Sequence, residues 1–286
     1  MKASTILLFC AASSVVALPP QQSRIIKAVP LQELIGNRII GGSPASEAQI
    51  PYQVGIIISD SLSLPWHCSG ALISAEWVVT GAMCIFGYSG NILNITMGGL
   101  TFMDPDEPGI VQDTTNTFII HPRFNWRNFN FDIGLARLSS PVEFNDRIQP
   151  IRLPESGSFI EPGRPLIVSG WGRTTDAEPD ISRYLNYVKV ESISNADCTT
   201  VFGNIVVIPS TICTRGETNE GICNHDGGGP LVSYDYDDDI EGSYNVTATL
   251  QGVASFISGA GCEAGHPSGF LRITEVRDWI RENTGV

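Results

Sequence analysis

The sequence contains many short runs in which apolar and polar residues alternate, and each run ends at turn-forming residues. Runs of this length and period are typical of half-buried β-strands, and their close spacing indicates a sandwich or a barrel. The 29 glycines of the chain fit a turn-rich fold. The predicted strands are Tyr52–Ile58, Ala71–Ile73, Trp77–Thr80, Thr117–Ile120, Pro165–Gly170, Tyr187–Ser192, Ala248–Phe256 and Gly269–Ile273.

The C-terminal end of the chain has a different pattern. Apolar residues recur there with helical spacing, which predicts a helix over Glu275–Glu282. Thr274 is its expected N-cap, and Gly285 lies just beyond its end. The predicted apolar face consists of Val276, Trp279 and Ile280.

Residues 1–17 predict a secretory signal peptide. Lys2 precedes an apolar run from Ile6 to Val16, and small residues follow at 15–17. The alternative is a membrane anchor, but the apolar run is too short to span a bilayer. We therefore expect a secreted, extracellular protein.

Secretion permits disulfide bonds. Cys10 lies in the predicted signal, so six of the seven cysteines remain, an even number that fits three bridges. Spacing alone leaves 15 possible pairings open. A zinc site is the alternative, but no close Cys-x-x-Cys pair or Cys/His cluster supports it.

The chain is acidic, with a net charge of −13. Residues 39–286 contain 13 basic and 29 acidic residues, a net charge of −16. Such a surface is a poor match for nucleic acid or an anionic membrane, and we expect neither as a partner.

Five segments resemble those that define chymotrypsin-like serine proteases, and the resemblance covers essentially all of residues 39–286. A further run, Phe144–Pro154, is similar to insect chymotrypsins and collagenase-like (brachyurin-type) members. The five segments are Arg38–Gly42, His67–Cys84, Phe131–Leu138, Ser169–Gly172 and Cys223–Val232.

The resemblance implies two tandem six-stranded antiparallel β-barrels, an all-β fold, followed by a C-terminal helix. It divides the chain into the signal peptide 1–17, a propeptide 18–38 and a protease-like domain 39–286, with the joint between barrels near 149–163. It also selects one set of disulfide bonds: Cys68–Cys84, Cys198–Cys213 and Cys223–Cys262.

The same resemblance places Met83 where the family has its general base, Asp132 at the triad carboxylate and Gly227 at the nucleophilic serine. A thioether cannot take up a proton near neutral pH, and glycine has no side chain. These substitutions imply a protein without peptidase activity.

Histidines elsewhere do not replace the base. His225 falls where the family has the glycine that helps form the oxyanion hole, so we interpret it as a further defect. We expect His67 to be structural, His121 to lie in a surface loop and His266 to lie in a loop after Cys262.

The positions of the primary specificity pocket also depart from the family. Gly221 stands at the pocket base, so no carboxylate is present to bind Lys or Arg. Ser255, Phe256 and Ile257 form the wall, where Ile257 is expected to narrow the entrance. Ser268 replaces a further pocket glycine.

The activation machinery is retained in sequence. Arg38 precedes Ile39 as in a zymogen site that a trypsin-like protease cuts, and Asp226 matches the aspartate that pairs with the new N-terminus. We expect cleavage after Arg38 to order the domain through an Ile39–Asp226 ion pair; the alternative is that both motifs are relics.

Two further features are weaker. Asn94 and Asn245 lie in glycosylation sequons. The acidic residues within 235–241 are a solvated loop, a calcium site or a recognition surface for a basic partner. They lack the spacing of an EF-hand. No cofactor and no other metal is expected.

The function that the sequence predicts is that of an inactive protease homologue. It acts by binding, as a cofactor, adaptor or decoy in a secreted proteolytic cascade. Its expected partners are proteases, their substrates or their inhibitors, together with the activating protease. The alternative is a chymotrypsin-like endopeptidase with an atypical site.

Overall fold

The structure is a computed structural model that describes residues 28–30, 42–59, 66–87, 92–102, 104–177, 180–216, 220–237 and 245–286. For residues 28–30, 236–237 and 245–246 it describes the backbone alone. The predicted signal peptide lies outside these residues.

The described chain is mostly β-structure with three short α-helices. The helices are α1 Ala82–Ile85, α2 Asn195–Phe202 and α3 Arg277–Thr284. The strands are β1 Ala28–Pro30, β2 Ser43–Pro44, β3 Gln53–Ser59, β4 Trp66–Leu72, β5 Trp77–Thr80, β6 Ile92–Met97, β7 Val111–Thr115, β8 Phe118–Ile120, β9 Gly134–Arg137, β10 Pro165–Gly170, β11 Asn186–Ile193, β12 Thr211–Thr214, β13 Pro230–Asp237, β14 Asn245–Ser258 and β15 Ser268–Arg272.

The first antiparallel sheet has the strand order β7-β6-β3-β4-β5-β9-β8. Alternate residues of β3 point inward: Val54, Ile56 and Ile58 are almost fully buried. They pack against Leu93 and Ile95 of β6 in one apolar cluster. The pairings within the described residues form a curved open path from β7 to β8, a half-barrel rather than the closed first barrel that the sequence implied.

The second sheet closes on itself. Its path β14-β13-β10-β11-β12-β15 returns to β14 through the β14–β15 pairing, so these strands form a six-stranded barrel. Leu166, Val168, Val188 and Val190 fill its interior. Strand β2 pairs with β11 and strand β1 pairs with β14, both from outside this ring.

A shared apolar cluster joins the two sheets. Val79 and Leu135 from the first sheet pack in it with Val232 and Leu250 from the second, and Ile280 of α3 packs there too. The two barrel-like sheets and the C-terminal helix confirm the predicted fold class. The contact between the sheets also brings the loops at their ends close together.

The C-terminal helix begins later than the sequence predicted. Residues 273–275 form a 3-10 turn, and the N-cap of α3 is Val276, which has no capping side chain. The prediction of Thr274 as N-cap was therefore wrong. Gly285 ends the helix in the left-handed conformation, with φ of +78°, as its position beyond the helix suggested.

The three disulfide bonds are those that the resemblance implied: Cys68–Cys84, Cys198–Cys213 and Cys223–Cys262. Cys68–Cys84 links β4 to α1. Cys198–Cys213 links α2 to β12.

Within the described residues, no helix is long and apolar enough to cross a membrane.

Candidate functional site

Asp132 is the buried carboxylate at which the predicted catalytic segments meet. It is 1% exposed. Its Oδ1 accepts a hydrogen bond from the backbone N–H of Met83 (2.8 Å), and its Oδ2 accepts one from the hydroxyl of Ser255 (2.6 Å). The structure thus brings α1, the segment before β9 and strand β14 together at one carboxyl group. The hydroxyl contact from Ser255 was not predicted, because the sequence marked this residue only as pocket wall.

The protonation of Asp132 is governed by its burial. Burial raises the pKa of its carboxyl from 3.8 to about 6, and the hydrogen bonds from Ser255, Met83 and Ala82 act in the opposite direction. No basic side chain forms an ion pair with Asp132 in the described part of the chain. At neutral pH the charge of Asp132 is therefore stabilised by neutral donors alone.

No imidazole reaches Asp132. All four histidines lie within the described residues, and none of them hydrogen-bonds to this carboxyl. Met83 lies beside it, partly buried, and contributes only its peptide N–H. The carboxylate therefore orients no base.

The loop that carries Gly227 is held by main-chain bonds. The carbonyl of Gly227 accepts a hydrogen bond from the N–H of Ser69 in β4 (2.8 Å). The N–H of Gly228 donates to the carbonyl of Ala254 in β14 (2.9 Å). Gly228 has φ of +80°, and a Cβ there would lie 2.2 Å from Oγ1 of Thr80, so only glycine fits. These contacts hold the loop through main-chain groups and glycine packing, without a side chain at position 227.

The Gly227 loop and the Asp132 cluster are adjacent. A Cβ built on Gly81 would lie 3.4 Å from Oδ1 of Asp132 and 3.5 Å from the backbone nitrogen of Gly228. Gly81 precedes α1 and so sits directly between the two. The structure therefore places the positions Met83, Asp132 and Gly227 around one small volume.

His225 adopts a backbone conformation that favours glycine, with φ of +68°. Its ring packs near those of Trp66 (5.4 Å between centroids) and His67 (5.6 Å), and its Nδ1 lies 3.3 Å from the carbonyl oxygen of His67. Burial lowers the pKa of His225 to about 4. At neutral pH it is an uncharged aromatic side chain that packs against β4.

His121 is buried, contrary to the expectation of a surface loop. It is 8% exposed and stacks on Phe131 (4.9 Å), with Trp279 of α3 at its edge (4.8 Å). Its Nδ1 accepts the N–H of Arg123 (3.2 Å), and burial lowers its pKa to about 4. His121 thus ties the loop before Asp132 to the C-terminal helix.

The residues predicted to form the specificity pocket lie together and are all buried. Ser255, Phe256, Ile257 and Ser268 are 2–5% exposed. A Cβ on Gly221 would lie 3.5 Å from Oγ of Ser268. We expected the side chain of Ile257 to narrow the entrance of the pocket. In the structure this side chain lies instead in the apolar core of the second barrel.

Asp226 is a second buried carboxylate, completely inaccessible to solvent. Its Oδ1 accepts the N–H of Gly172 (2.8 Å), and its Oδ2 accepts the N–H of Cys223 (2.9 Å). A Cβ on Gly172 would lie 2.3 Å from the Asp226 carboxyl carbon, so this close approach requires glycine. Burial raises the pKa of Asp226 well above its usual range.

Asp226 is predicted to pair with the new N-terminus of Ile39 after cleavage. Arg38 and Ile39 lie outside the described residues. Within those residues, no cation forms an ion pair with Asp226.

The two sequons differ in what the structure shows. Asn94 lies in β6, partly exposed, with its Nδ2 3.4 Å from Oγ of Ser59. The side chain of Asn245 lies outside the described atoms. Glycosylation of both remains a prediction.

No metal site emerges from the described residues. Their one cluster of metal-ligand type joins Asp176 to Cys223 and Cys262, and both cysteines are committed to a disulfide bond. In the acidic segment 235–241, Asp235 forms an ion pair with Arg164. Residues 238–241 lie outside the described chain, so calcium binding there remains a prediction.

The fold and these segments define a class of protein. The sequence profile of the trypsin family matches residues 39–280, and the chain therefore belongs to this family of chymotrypsin-like serine proteases.

Individual relatives cover most of this chain. Brachyurin of Leptuca pugilator is 32% identical over 248 residues, which span 87% of this chain and 99% of brachyurin. Serine protease 1 of Drosophila melanogaster is 34% identical over 90% of this chain and 89% of that protein. Collagenase of Hypoderma lineatum is 33% identical over 89% of this chain and 90% of that protein.

A solved structure named HL collagenase has the same fold. It superposes with a TM-score of 0.71 and 31% sequence identity, and the match covers 87% of this chain and 99% of the collagenase chain.

Proposed function

We propose that this protein is a secreted, catalytically inactive member of the family that acts by binding. The observation that carries the proposal is the set of groups around Asp132. Its oxygens accept the peptide N–H of Met83 and the hydroxyl of Ser255, and no histidine reaches it.

The chemistry of the family requires groups that these positions lack. A serine protease needs a nucleophile, a base that deprotonates it and a carboxylate that orients the base. Position 83 offers a thioether and position 227 offers no side chain. Losing triad members costs on the order of 10⁶ in turnover in a comparable serine protease.

The binding role is supported by a scaffold that does not depend on those side chains. Main-chain bonds from Ser69 and Ala254 hold the Gly227 loop, and peptide groups hold both buried carboxylates. A surface that still has the shape of a protease can bind proteases, their substrates or their inhibitors. A role as cofactor, adaptor or decoy in a secreted cascade follows, with a trypsin-like protease cutting after Arg38.

The proposal is tested with a fluorophosphonate probe, which labels an activated serine. The protein is cut after Arg38 and incubated with the probe beside a catalytically active family member. We expect the active protease to be labelled and this protein to remain unlabelled, with no hydrolysis of peptide substrates. Stoichiometric labelling would contradict the proposal.

A second candidate is an endopeptidase with an atypical site. The names of the relatives favour it, since they are called serine protease and collagenase. The hydroxyl of Ser255 donates to Asp132, but this side chain is 3% exposed and no imidazole hydrogen-bonds to that carboxyl. Labelling mapped to Ser255 would favour this candidate.

A further inference from the structure

A cavity of about 420 Å³ lies where the end of β15 and the start of α2 meet the segment that joins the two sheets. Its lining comes from residues within 157–162, from residues 193–195 and from the end of β15 between Arg272 and Glu275. None of the lining residues is a predicted catalytic, activation or specificity-pocket position. The cavity is therefore a feature separate from the site around Asp132.

The wall of this cavity is mostly apolar. Ile212 belongs to the apolar core of the second barrel, and Ile160 packs against that core. Ile193 and Pro209 also line the cavity, and Phe159, which is 62% exposed, stands at its mouth. Apolar surface removed from water is stabilised, so the wall favours a ligand with a hydrocarbon body.

Arg272 brings a buried positive charge to the same cavity. The residue is 9% exposed. Its Nε donates to the carbonyl of Pro209 (3.3 Å), and its Nη2 donates to the carbonyl of Thr211 (3.0 Å). Among the described residues, no carboxylate forms an ion pair with this guanidinium. A buried charge without a counter-charge is costly, and an anion in the cavity would relieve that cost.

One nitrogen of this guanidinium is left for a ligand. Within the described part of the chain, Nη1 of Arg272 makes no hydrogen bond, and it is not one of the fully buried atoms that lack a partner. It is therefore accessible in the cavity that Arg272 lines. Guanidinium N–H groups form their strongest hydrogen bonds with carboxylate oxygens, which match their planar geometry.

The guanidinium is also held in place before any ligand arrives. Its Cζ lies 5.4 Å from the centroid of the Phe159 ring, within the range of a cation–π contact. Together with the bonds to the carbonyls of Pro209 and Thr211, this contact fixes the plane of the group. A ligand thus meets an oriented donor beside an exposed aromatic ring, and it loses little affinity to reordering of the protein.

Glu275 opposes an anion in this cavity. It is the one acidic side chain among the described residues that line the cavity, and it is exposed. It forms no ion pair with Arg272, so it does not neutralise the guanidinium. Its charge should weaken the binding of an anion from the rim, where solvent screens it.

We propose that this cavity binds a small monocarboxylate with an apolar body. The carboxylate accepts hydrogen bonds from the guanidinium of Arg272, and the body lies against Phe159, Ile160 and Ile193. A volume of a few hundred Å³ with mostly apolar walls and a few placed polar groups is typical of small-molecule sites. The proposal goes beyond the binding role of the protease-like surface, and it holds whether or not the protein has peptidase activity.

The test titrates the uncut, full-length secreted protein by isothermal calorimetry with octanoate, 1-octanol and acetate. Octanol lacks the charge and acetate lacks the apolar body. We expect saturable one-to-one binding of octanoate, with octanol and acetate bound at least about tenfold more weakly. No binding of octanoate up to about 2 mM, or octanol bound as tightly as octanoate, would overturn the proposal.

Substitutions assign the binding to this cavity. R272M removes the charge and should weaken octanoate binding about tenfold or more, whereas R272K keeps the charge but not the fork and should weaken it about threefold. F159A should weaken it about threefold, and E275Q should strengthen it about twofold. R137M is the control: it removes an exposed arginine of the first sheet and should bind as the wild type does. Wild-type affinity in a folded R272M would overturn the proposal.

The variants also cover the case in which R272M does not fold, since it loses the bonds to Pro209 and Thr211. F159A and E275Q change exposed side chains and leave both bonds in place. Opposite shifts in octanoate affinity in these two variants would support the proposal. Unchanged affinity in both would overturn it.

Discussion

Asp132 and Asp226 are both buried carboxylates near the Gly227 loop, but different groups surround them. Asp132 accepts a side-chain hydroxyl from Ser255 as well as a peptide N–H. Asp226 accepts two peptide N–H groups, from Gly172 and Cys223, and its carboxyl lies against glycine backbone. Burial raises the pKa of both.

The comparison teaches that main-chain N–H groups bond to both carboxylates, with one side-chain hydroxyl added at Asp132, whereas the chemistry of the region depends on its side chains. At position 83, where the family has its base, only the peptide N–H of Met83 bonds to Asp132. The carboxylate therefore keeps its position without a histidine side chain there. The cation proposed for Asp226 would likewise enter a site whose donors are already in place. The side chains beside these two carboxylates can therefore change without removing the main-chain donors that hold the carboxylates.

The largest expected effect comes from restoring the side chains beside Asp132. The triple variant M83H/G227S/H225G supplies a base, a nucleophile and the glycine that φ of +68° favours. After cleavage following Arg38, we expect it to react with a fluorophosphonate probe at least about 10³ times faster than the unsubstituted protein.

Variants that lack one component serve as controls for this gain. M83H/H225G has no nucleophile and G227S/H225G has no base, so both should stay at the rate of the unsubstituted protein. A triple variant no faster than these, yet folded, would show that the main-chain geometry around Asp132 does not suffice for catalysis.

The next effect concerns the charge on Asp132. Its folded-state pKa of about 6 lies above the ordinary value of 3.8, so the folded protein binds more protons between these pH values. The stability that this provides is full below pH 3.8 and is lost as pH rises through 6, a loss of at most about 3 kcal/mol. D132N stays neutral and lacks this dependence.

Urea unfolding of the wild type and D132N between pH 4 and pH 7 measures the difference directly. The free energy of unfolding of the wild type should fall relative to that of D132N as pH rises. His121 and His225, with pKa values lowered to about 4, lose stability as pH falls instead, but they are common to both proteins and cancel. If the difference in free energy of unfolding between the two proteins did not change with pH, the pKa of Asp132 would not be raised in the folded protein.

The smallest effect distinguishes Asp226 before and after cleavage. In the uncut chain the Asp226 carboxyl has a raised pKa and no cation among the described residues, so D226N should cost about 1 kcal/mol or less. After the cut, the proposed ion pair with Ile39 would be lost as well, and we expect D226N to cost more than it does in the uncut chain.

Resistance to limited proteolysis compares the four samples, wild type and D226N, each uncut and cut. We expect the cut wild type to be the most resistant. Equal resistance in all four would contradict a conformational role for cleavage.

Much of the fold was predictable because its signals are local or carried by motifs. Strands β5 and β10 have the predicted bounds, since each is a short apolar run that ends at a turn. The disulfide bonds followed from the family motifs, although spacing alone had left them open. Helix α2 was missed, yet Ser194 three residues before Asp197 is a usable cap signal, and its hydroxyl does accept that N–H (3.0 Å).

The features that escaped prediction depend on distant parts of the chain. The burial of His121 requires Trp279 of α3, and the hydroxyl of Ser255 finds Asp132 only because the two sheets pack together. The pairing of Val29 with Ile257 joins residues far apart in sequence. A run of three residues is too short for its sequence to predict which strand it pairs with. Register of this kind is set by the edge that remains free once the barrel has closed.

The main-chain bonds at the Gly227 loop also bear on how such proteins arise. In the cell, chaperones and proteases act on the unfolded fraction of a protein. The persistence of a chain therefore depends on its folding stability and not on a working triad. Because Ser69 and Ala254 bond to the loop through peptide groups, a change of side chain at position 83 leaves these bonds in place. The fold can therefore be retained while the side chains at the site change.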